Sequence, residues 1–403
     1  MRDNQLRILL VSFIGDNRWS GAGKWSYKIA EGLERLGHRS ELWFADHFPV
    51  VRRTRRFGRL LFPWVLAGRL LAHRKRFDVA VVHEPSGSVY GLLRLARPDL
   101  PPMVLMCHNV ESHVFRTMSM AARSGLASVT LKNRVMFHCV HRFLSDGAIR
   151  LADQVVCLSA TDWEYLATRL RRWPADLIRK VNGVDASYFV RDRAYGRPPR
   201  VLFVGGWLDV KGRRVLPPIW SRVAERFPDA TLSIVGTGCS PDIVLNDFPP
   251  AARPNVRAVT RVETEQGMAE VYRTHDIFLM PSLTEGSPLS LMEAMAAGLA
   301  VVAADVGGIP DIVTPGVDGL LFPRGSAAAA AAALEDLLTD PGRVAEFGAA
   351  GRRRADELTW DASAAAIEAA ALAALRRGTS TEFAGRPGRW PPIAGMRSPT
   401  RSD

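Results

Sequence analysis

Several signatures that would narrow the function are missing from this chain of 403 residues. Its four cysteines are scattered, and no Cys-x-x-Cys pair or zinc-ligand spacing occurs. Cys107 and Cys157 lie in apolar, strand-like runs, which predicts buried thiols and, without a disulfide framework, a reducing cytosol. A phosphate loop of the G-x-x-x-x-G-K-S/T type is absent, and we find no D-x-D pair in a convincing metal-binding context.

Long hydrophobic runs are also missing. The apolar run at residues 8–11 is too short for the core of a signal peptide. No window reaches the roughly 18 uninterrupted apolar residues that a membrane-spanning helix requires. We therefore expect neither a signal peptide nor a transmembrane helix.

Acidic residues are too few to balance the basic ones. The net charge is +12, with a sequence pI near 10.1, which indicates attraction to an anionic partner. Residues 51–77 contain nine basic residues and no acidic one, interleaved with Trp, Phe and Leu. This pattern fits a helix lying on an anionic membrane, the interpretation that we favour. A core-packed helix pair with a solvated basic face would also explain it.

Apolar runs alternate with helical stretches along most of the chain, which predicts parallel α/β sheets. Two consecutive series of such runs predict two doubly wound, Rossmann-like domains. The predicted segments are an N-terminal domain at 1–185, a second domain at 186–358, a C-terminal helix at 359–377 and a disordered basic tail at 378–403.

The most informative stretch is a predicted strand-to-helix turn that carries two glutamates. Glu285 and Glu293 are separated by seven residues, one in the loop and the other in the helix. Ser287 and Pro288 fit the N-cap and the first helical position, and Gly298 fits the helix end. Free N–H groups at such a turn suit a phosphate, and flanking carboxylates suit hydroxyls. A nucleotide sugar combines both.

Other predicted strand ends carry candidate residues, because ligands of doubly wound sheets bind beyond the carboxyl ends of the strands. Gly21 and Gly23 would allow a phosphate close to the backbone, although a plain helix-opening turn explains them equally. His108 can donate to a sugar hydroxyl or lie beside a reacting carbon, or be structural. Lys211, assisted by Arg213, can neutralise a pyrophosphate, or these cations can be merely exposed.

Together these residues resemble the retaining GT-B glycosyltransferases of family 4, also called group 1, over nearly all of positions 5–360. The motifs that carry the resemblance are Glu285-x7-Glu293 with the trailing E-A-M-A-A-G and G-G-I-P-D, the S-G-A-G-K loop, His108-Asn109, A-D-Q-V-V-C-L-S, N-G-V-D, and the loop from Gly205 to Gly212.

The resemblance implies a GT-B fold in which the two domains face each other across a cleft. The domain at 1–185 would lie on the acceptor side, the domain at 186–358 would bind the nucleotide sugar, and the helix at 359–377 would cross back to the first domain. The resemblance also implies a role for each matching residue. Glu285 would hold hydroxyls of the donor sugar, and Glu293 the ribose hydroxyls. Lys211 would bind the diphosphate, and His108 would lie near the anomeric centre. Backbone around the diphosphate would come from Ser287, Pro288, Leu289 and the Gly21 loop. The family transfers with retention and without a metal or cofactor, and we expect the same here.

Two positions depart from the family pattern. The phosphate loop often carries an arginine where this chain has Gly206, so either Arg213 or Arg214 would compensate or the diphosphate would bind more weakly. Pro288 has no N–H group to offer a phosphate.

These observations predict a retaining hexosyltransferase that takes a sugar from a nucleotide diphosphate donor to a glycan or lipid-linked acceptor. We expect a cytoplasmic protein of polysaccharide biosynthesis, peripheral at the inner membrane face if the basic segment binds lipid. A nucleotide-sugar epimerase of the same fold is the alternative. A nucleic-acid partner is not expected, because no recognisable nucleic-acid-binding module accompanies the positive charge.

Overall fold

The computed structural model describes residues 5–54, 57–190, 195 and 199–379. These residues form two six-stranded, fully parallel β sheets. The first sheet contains β1 (Arg7–Ser12), β2 (Arg39–Phe44), β3 (Val79–His83), β4 (Met103–Cys107), β5 (Gln154–Cys157) and β6 (Leu177–Arg179). The second contains β7 (Arg200–Val204), β8 (Thr231–Val235), β9 (Val256–Val259), β10 (Ile277–Met280), β11 (Ala300–Ala304) and β12 (Gly319–Phe322).

Helices connect the strands and cover the sheets. In the first half they are α1 (Gly21–Arg35), α2 (Pro49–Arg53), α3 (Gly58–Ala72), α4 (Ser88–Ala96), α5 (Glu111–Arg123), α6 (Leu131–Met136), α7 (Arg142–Leu151) and α8 (Ala160–Thr168). In the second half they are α9 (Leu216–Arg226), α10 (Pro241–Asn246), α11 (Glu265–Arg273), α12 (Leu289–Ala296), α13 (Ala327–Thr339), α14 (Pro341–Asp356) and α15 (Trp360–Thr379).

Each sheet has one point at which the strand order changes direction, and loops predicted to carry site residues lie at these points. The first sheet runs β2-β1-β3-β4-β5-β6 and the second β12-β11-β10-β7-β8-β9. The switch points therefore lie between β1 and β3 and between β7 and β10, and ligands of doubly wound sheets bind at the carboxyl ends there. The predicted two-domain α/β architecture is confirmed. Strand β6 escaped prediction because three residues at a sheet edge leave almost no alternation pattern.

The central strands are buried from end to end, which accounts for their continuous apolar runs. Strands β3, β4, β10 and β11 each have every residue buried. Cys107 and Cys157 are buried free thiols on paired strands, as predicted. Burial raises the pKa of the Cys157 thiol to about 12, so this thiol remains protonated and unreactive at neutral pH.

Helix α15 follows the second sheet in sequence but packs against the first. Its buried residues Ala364, Ile367 and Ala371 join the cluster of Trp25 and Ile29 from α1. By length and composition alone, the helical stretch Pro341–Arg377 could cross a membrane. The first part of this stretch, α14, packs against α12 and β11 of the second half, and the second part, α15, packs against the first sheet. This packing accounts for the apolar character of both parts. The predicted tail at 378–403 lies outside the described residues, apart from the last two residues of α15.

The basic segment at 51–77 forms α2 and α3, apart from two residues that lie outside the described part. One face of α3 is core, with Phe62, Leu66 and Leu70 buried. The opposite face exposes Phe57 and Trp64, at 60% and 65%.

Four of the segment's arginines are held by the fold. Arg59 pairs with Glu111, Arg74 with Asp99 and Arg76 with Glu41, and Arg69 lies over the Trp43 ring. The core-packed interpretation is therefore correct for one face of the segment. The exposed aromatic face leaves membrane contact as a prediction.

The seam between α1 and α15 predicts a stability effect for Gly32→Ala. An added Cβ at Gly32 would lie 2.4 Å from the Ala364 Cβ, so the two helices would have to separate. We expect the free energy of unfolding to fall by about 1–3 kcal/mol, measured by urea unfolding. Gly68→Ala is the matched control, because Gly68 is at an exposed position of α3 and nothing lies within 4 Å of the added Cβ. An unchanged midpoint for Gly32→Ala would contradict the packing of α15.

Candidate active site

A cavity of about 630 Å³ lies between the two sheets at the carboxyl ends of their strands. Residues from both halves of the chain line it. Eight of the ten predicted site residues are among them: Gly21, His108, Lys211, Glu285, Ser287, Pro288, Leu289 and Glu293. Gly23 and Arg213 do not line this cavity.

Two helices from opposite halves begin at this cavity. The first two residues of α1, Gly21 and Ala22, and the first two of α12, Leu289 and Ser290, all line it. Their N–H groups have no hydrogen-bond partner among the described residues. Unpaired amides and the positive ends of two helix dipoles therefore face one space, which suits an anion.

The start of α12 differs from the prediction by one residue. Pro288 is the N-cap and Leu289 the first helical residue, whereas Ser287 was predicted to cap the helix. The Ser287 hydroxyl instead accepts a hydrogen bond from the Asn182 backbone N–H (3.0 Å), and the Asn182 side chain donates to the Ser287 carbonyl (3.1 Å). These bonds tie the start of α12 to the loop that follows β6. Gly298, with φ of 76°, follows the helix end as predicted.

Glu285 lies in the cavity wall in a tight polar cluster. Its carboxylate accepts two hydrogen bonds from the Lys211 ammonium (2.7 and 2.9 Å) and one from the Ser282 hydroxyl (2.7 Å). Glu285 is only 5% exposed, so the Lys211 charge compensates for the cost of burying this carboxylate. The two residues are thereby fixed side by side, facing the cavity.

Glu293 is held across the cleft by a residue that the sequence analysis missed. Lys24, one turn into α1, donates to the Glu293 Oε1 atom (2.9 Å) and also pairs with Asp185 (2.6 Å). The Tyr272 hydroxyl donates to Glu293 Oε2 (3.0 Å). Lys24 also lies 4.6 Å from the centre of the Tyr188 ring. Lys24 therefore joins the two halves at the position predicted to bind ribose.

Electrostatics keep this cluster charged. Burial opposes the ammonium form of Lys24, but the negative charges of Glu293 and Asp185 outweigh burial and raise the pKa of Lys24. Burial would likewise raise the pKa of Asp185, but Lys24 and Lys28 lower it overall. Lys24 and Asp185 thus remain an ion pair across the neutral range.

His108 lies at the end of β4 with its ring half-buried in the cavity wall. Its Nε2 atom is shielded from solvent and has no hydrogen-bond partner among the described residues. The ring packs edge-on against Trp25 and His83, with centroid distances of 5.3 and 4.6 Å. Burial lowers the pKa of His108 to about 4, so the imidazole is neutral at physiological pH.

Close backbone packing brings His108 and Glu285 together. An added Cβ at Gly286 would lie 1.9 Å from the His108 carbonyl oxygen, and one at Gly308 would lie 1.8 Å from the Gly286 carbonyl oxygen. Gly308 also donates its N–H to the Glu285 carbonyl (3.0 Å). The G-G-I-P-D turn therefore supports the Glu285 loop from behind, and Gly286 allows that loop to touch the first half.

Two predicted ligand residues have structural roles instead. Gly23 lies inside α1 and donates its N–H to the Ser20 side chain, and an added Cβ would lie 1.9 Å from the Asn17 carbonyl oxygen. Arg213 makes a two-pronged ion pair with Asp247 (2.7 and 3.2 Å) and does not line the cavity. In this arrangement Arg213 does not reach the cavity where it was expected to compensate for Gly206.

One wall of the cavity was also missed. Arg261, Val262 and Thr264 line it from the loop after β9, and Glu265 lines it from the start of α11. No glycine motif marked this loop. Within the described residues, no group of three or more His, Cys, Asp or Glu side chains is placed to hold a metal ion.

Comparison with known proteins agrees with this geometry. Residues 19–188 match the family model described as Glycosyltransferase Family 4, and residues 198–340 match Glycosyl transferases group 1. The phosphatidyl-myo-inositol mannosyltransferase of Mycolicibacterium smegmatis is 30% identical over 297 residues, which cover 72% of this chain and 70% of that protein. The chain belongs to the group 1 glycosyltransferases.

Other relatives of this group 1 chain are matched over a smaller share of their length. The D-inositol 3-phosphate glycosyltransferase of Segniliparus rotundus is 32% identical over 269 residues, covering 63% of this chain and 60% of the relative. For that of Corynebacterium aurimucosum, 36% identity extends over 42% of this chain and 41% of the relative.

Solved structures show the same GT-B fold as this group 1 chain. Sucrose-phosphate synthase from Thermosynechococcus elongatus superposes with a TM-score of 0.70 at 21% identity, covering 91% of this chain and 98% of that one. An Anabaena protein in complex with UDP-glucose superposes with a TM-score of 0.65 at 15% identity, covering 91% and 99% of the two chains.

The burial of neutral His108 predicts a pH effect on stability. Its pKa of about 4 lies below the ordinary value near 6.5, so between these values the unfolded chain binds the proton and the folded chain does not. This residue's contribution is therefore present above pH 6.5 and is lost as the pH falls. When the pH is lowered from 7 to 5, the free energy of unfolding should fall for the unsubstituted protein and fall by about 1–2 kcal/mol less for His108→Asn. Urea unfolding at the two pH values measures this difference.

The same substitution at exposed His138 is the matched control for this pH comparison. If His108→Asn and the unsubstituted protein lose equal stability between the two pH values, His108 is not held neutral in the folded state.

Proposed function

We propose that this protein transfers a sugar, with retention of anomeric configuration and without a metal, from a nucleotide diphosphate donor to a lipid-linked or glycan acceptor. One observation carries the donor assignment. The N-termini of α1 and α12 bring unpaired amides from both halves to one cavity that also contains Lys211. Such an arrangement favours a diphosphate between two hydroxyl-binding carboxylates.

The donor would extend along the line from Glu293 to Glu285. Glu293 accepts only one hydrogen bond on each oxygen from Lys24 and Tyr272, so lone pairs remain for the ribose hydroxyls. Lys211 would contact the diphosphate while holding the Glu285 carboxylate in place, and Glu285 would accept hydrogen bonds from hydroxyls of the sugar. With glycine at position 206, Lys211 and the helix N-termini supply the stabilisation of the leaving diphosphate.

His108 would act as a neutral hydrogen-bonding group beside the sugar. Its low pKa argues against an imidazolium that neutralises phosphate, and its Nε2 atom lacks a partner among the described residues. A sugar hydroxyl would supply that partner. In this role the His108 imidazole stays neutral throughout the transfer. The proton of the acceptor hydroxyl would instead pass to the leaving diphosphate of the donor.

The acceptor would enter from a second, adjoining cavity of about 540 Å³. Asn109 lines both cavities, so the second opens beside the predicted reacting centre. Its walls combine apolar and polar groups, including Phe115, Phe137, His141 and the Arg59–Glu111 pair. Mixed walls suit a polar head attached to an apolar chain. The named relative that acts on phosphatidyl-myo-inositol supports a lipid-linked acceptor.

A lipid-linked acceptor would require access to the membrane surface, and α3 offers a contact for it. Phe57 and Trp64 are seven residues apart, on one exposed face of the helix. Arg52 and Arg53, just before this face, make no ion pair among the described residues. We propose peripheral attachment of a cytoplasmic protein through this face.

Lys211→Met tests the donor assignment. Calorimetry with UDP, GDP and ADP identifies the nucleotide that the unsubstituted protein binds. We expect the binding free energy of that nucleotide to be weaker by about 1.5–3 kcal/mol in the variant. The loss follows because a charge-assisted contact to the diphosphate is removed. Glu293→Ala should weaken binding of the same nucleotide but leave the binding of inorganic pyrophosphate unchanged, because this carboxylate is assigned to the ribose.

Arg213→Met is the matched control for Lys211→Met, since it removes a cation two residues away that faces Asp247. Equal losses in the two variants would contradict the assignment of Lys211. A sugar nucleotide that is isomerised without any acceptor would favour an epimerase instead.

A further inference from the structure

A third cavity, of about 910 Å³, lies at the opposite edge of the first sheet. Ala152 and Asp153, which immediately precede β5, and Asp176, which immediately precedes β6, line it. The cavity is therefore at the amino ends of the strands, whereas the donor cavity is at the carboxyl ends. Ligand sites of doubly wound sheets ordinarily lie at the carboxyl ends, so the fold alone does not explain this one.

Positive charge dominates the lining of this cavity. Only two carboxylates, Asp153 and Asp176, are present. The basic residues that line it are Arg150, Arg169, Arg171, Arg172 and Arg377.

Both carboxylates are already neutralised within the fold. Asp153 pairs with Arg94, and Asp176 pairs with Arg377 (2.7 Å) and Arg172 (3.4 Å). By contrast, Arg150, Arg169 and Arg171 contact no carboxylate in the described part of the chain. The cavity therefore presents three uncompensated positive charges. Such a grouping is repulsive without an anion and favourable with one.

Arg172 is a buried cation with an unsatisfied donor in the cavity wall. It is 8% exposed, and its two terminal nitrogens donate to the backbone carbonyls of Arg150 (3.1 Å) and Ala152 (3.0 Å). Its Nε atom is shielded from solvent and has no hydrogen-bond partner among the described residues. These backbone bonds and the Asp176 contact fix the guanidinium in the cavity wall, where its positive charge favours an anion.

The neighbouring backbone is strained in the same loop. Arg171 has φ of 54°, and among the described residues it is the only non-glycine residue with a positive φ. A large side chain in the left-handed region persists only where the surrounding structure requires it. Here the strain places two consecutive arginines, Arg171 exposed and Arg172 buried, on the same cavity.

We propose that this cavity is a second anion site that binds a phosphate-bearing ligand with at least two negative charges. Guanidinium groups match phosphate oxygens in a forked geometry, and several of them together select a multiply charged group. The rim also carries exposed apolar surface, with Leu95 at 72% and Trp173 at 39%. An organic part of the ligand would lie against it. A soluble polyphosphate and a phospholipid headgroup share this chemistry.

Calorimetry with inorganic pyrophosphate tests the site in the full chain. Lys211→Met serves as the background, because it removes the main cation of the proposed donor site and keeps the two sites distinguishable. Adding Arg150→Gln, Arg169→Gln and Arg171→Gln should weaken the remaining pyrophosphate binding on the order of tenfold or more. The matched control is Arg39→Gln, Arg222→Gln and Arg257→Gln, three exposed arginines outside the cavity, which should leave binding unchanged.

Leu95→Glu provides a second variant that leaves all the arginines in place. It adds a carboxylate to an exposed rim position and should also weaken pyrophosphate binding. Sedimentation with vesicles identifies the source of the phosphate. The vesicles contain phosphatidic acid, whose phosphomonoester headgroup can carry two negative charges. If these vesicles bind through the three arginines and pyrophosphate does not, the ligand is a lipid headgroup.

The proposal is overturned if neither probe binds the Lys211→Met protein. It is also overturned if the arginine variant binds both probes as well as the control variant does. Loss of nucleotide binding in Lys211→Met with retained pyrophosphate binding would support both sites independently.

Discussion

The candidate site depends on one backbone contact between the two halves of the chain. The loop at Glu285 and Gly286 lies between the His108 carbonyl on one side and the Gly307–Gly308 turn on the other, at distances that leave no room for a Cβ. Because backbone, rather than side chains, fills this seam, it fixes the relative position of His108 and Glu285. Lys211 and Ser282 then orient the carboxylate. Precision of this kind is what a reacting centre requires, since small displacements are costly in rate.

A second connection across the cleft is electrostatic. Lys24 joins Glu293 to Asp185, and its charge is maintained by both carboxylates. A proposed ribose contact is therefore oriented by the opposite half of the chain before any nucleotide binds. The arrangement couples closure of the cleft to the carboxylate that would recognise the donor, because separating the halves would leave both Lys24 and Glu293 less well paired.

Strong local sequence patterns made most strands and the main site loop predictable. The features that could not be predicted depend on tertiary contacts. Strands such as β3 and β11 are continuous apolar runs, and the Glu285–Glu293 spacing marks a loop and helix that could be assigned before the fold was known. The helix start was misplaced because the Ser287 hydroxyl bonds to Asn182, more than a hundred residues away. Arg213 looked available because Asp247, its partner, lies on a separate element. Lys24 ends the S-G-A-G-K motif, but nothing in the sequence assigned it a role, which only the approach of α1 to α12 gives it.

The same reasoning changes what the net charge of +12 means. Counted along the sequence, positive charge is densest at residues 51–77, and the basic segment was the obvious place to expect an anionic partner. In the fold, several of those arginines are paired with carboxylates or stacked on aromatic rings. The uncompensated charge within the described residues includes a group brought together from two separate parts of the chain, with Arg150 from one and Arg169 and Arg171 from the other. An anion interacts with the charge that remains after internal pairing, and the tertiary structure determines where that unpaired charge lies.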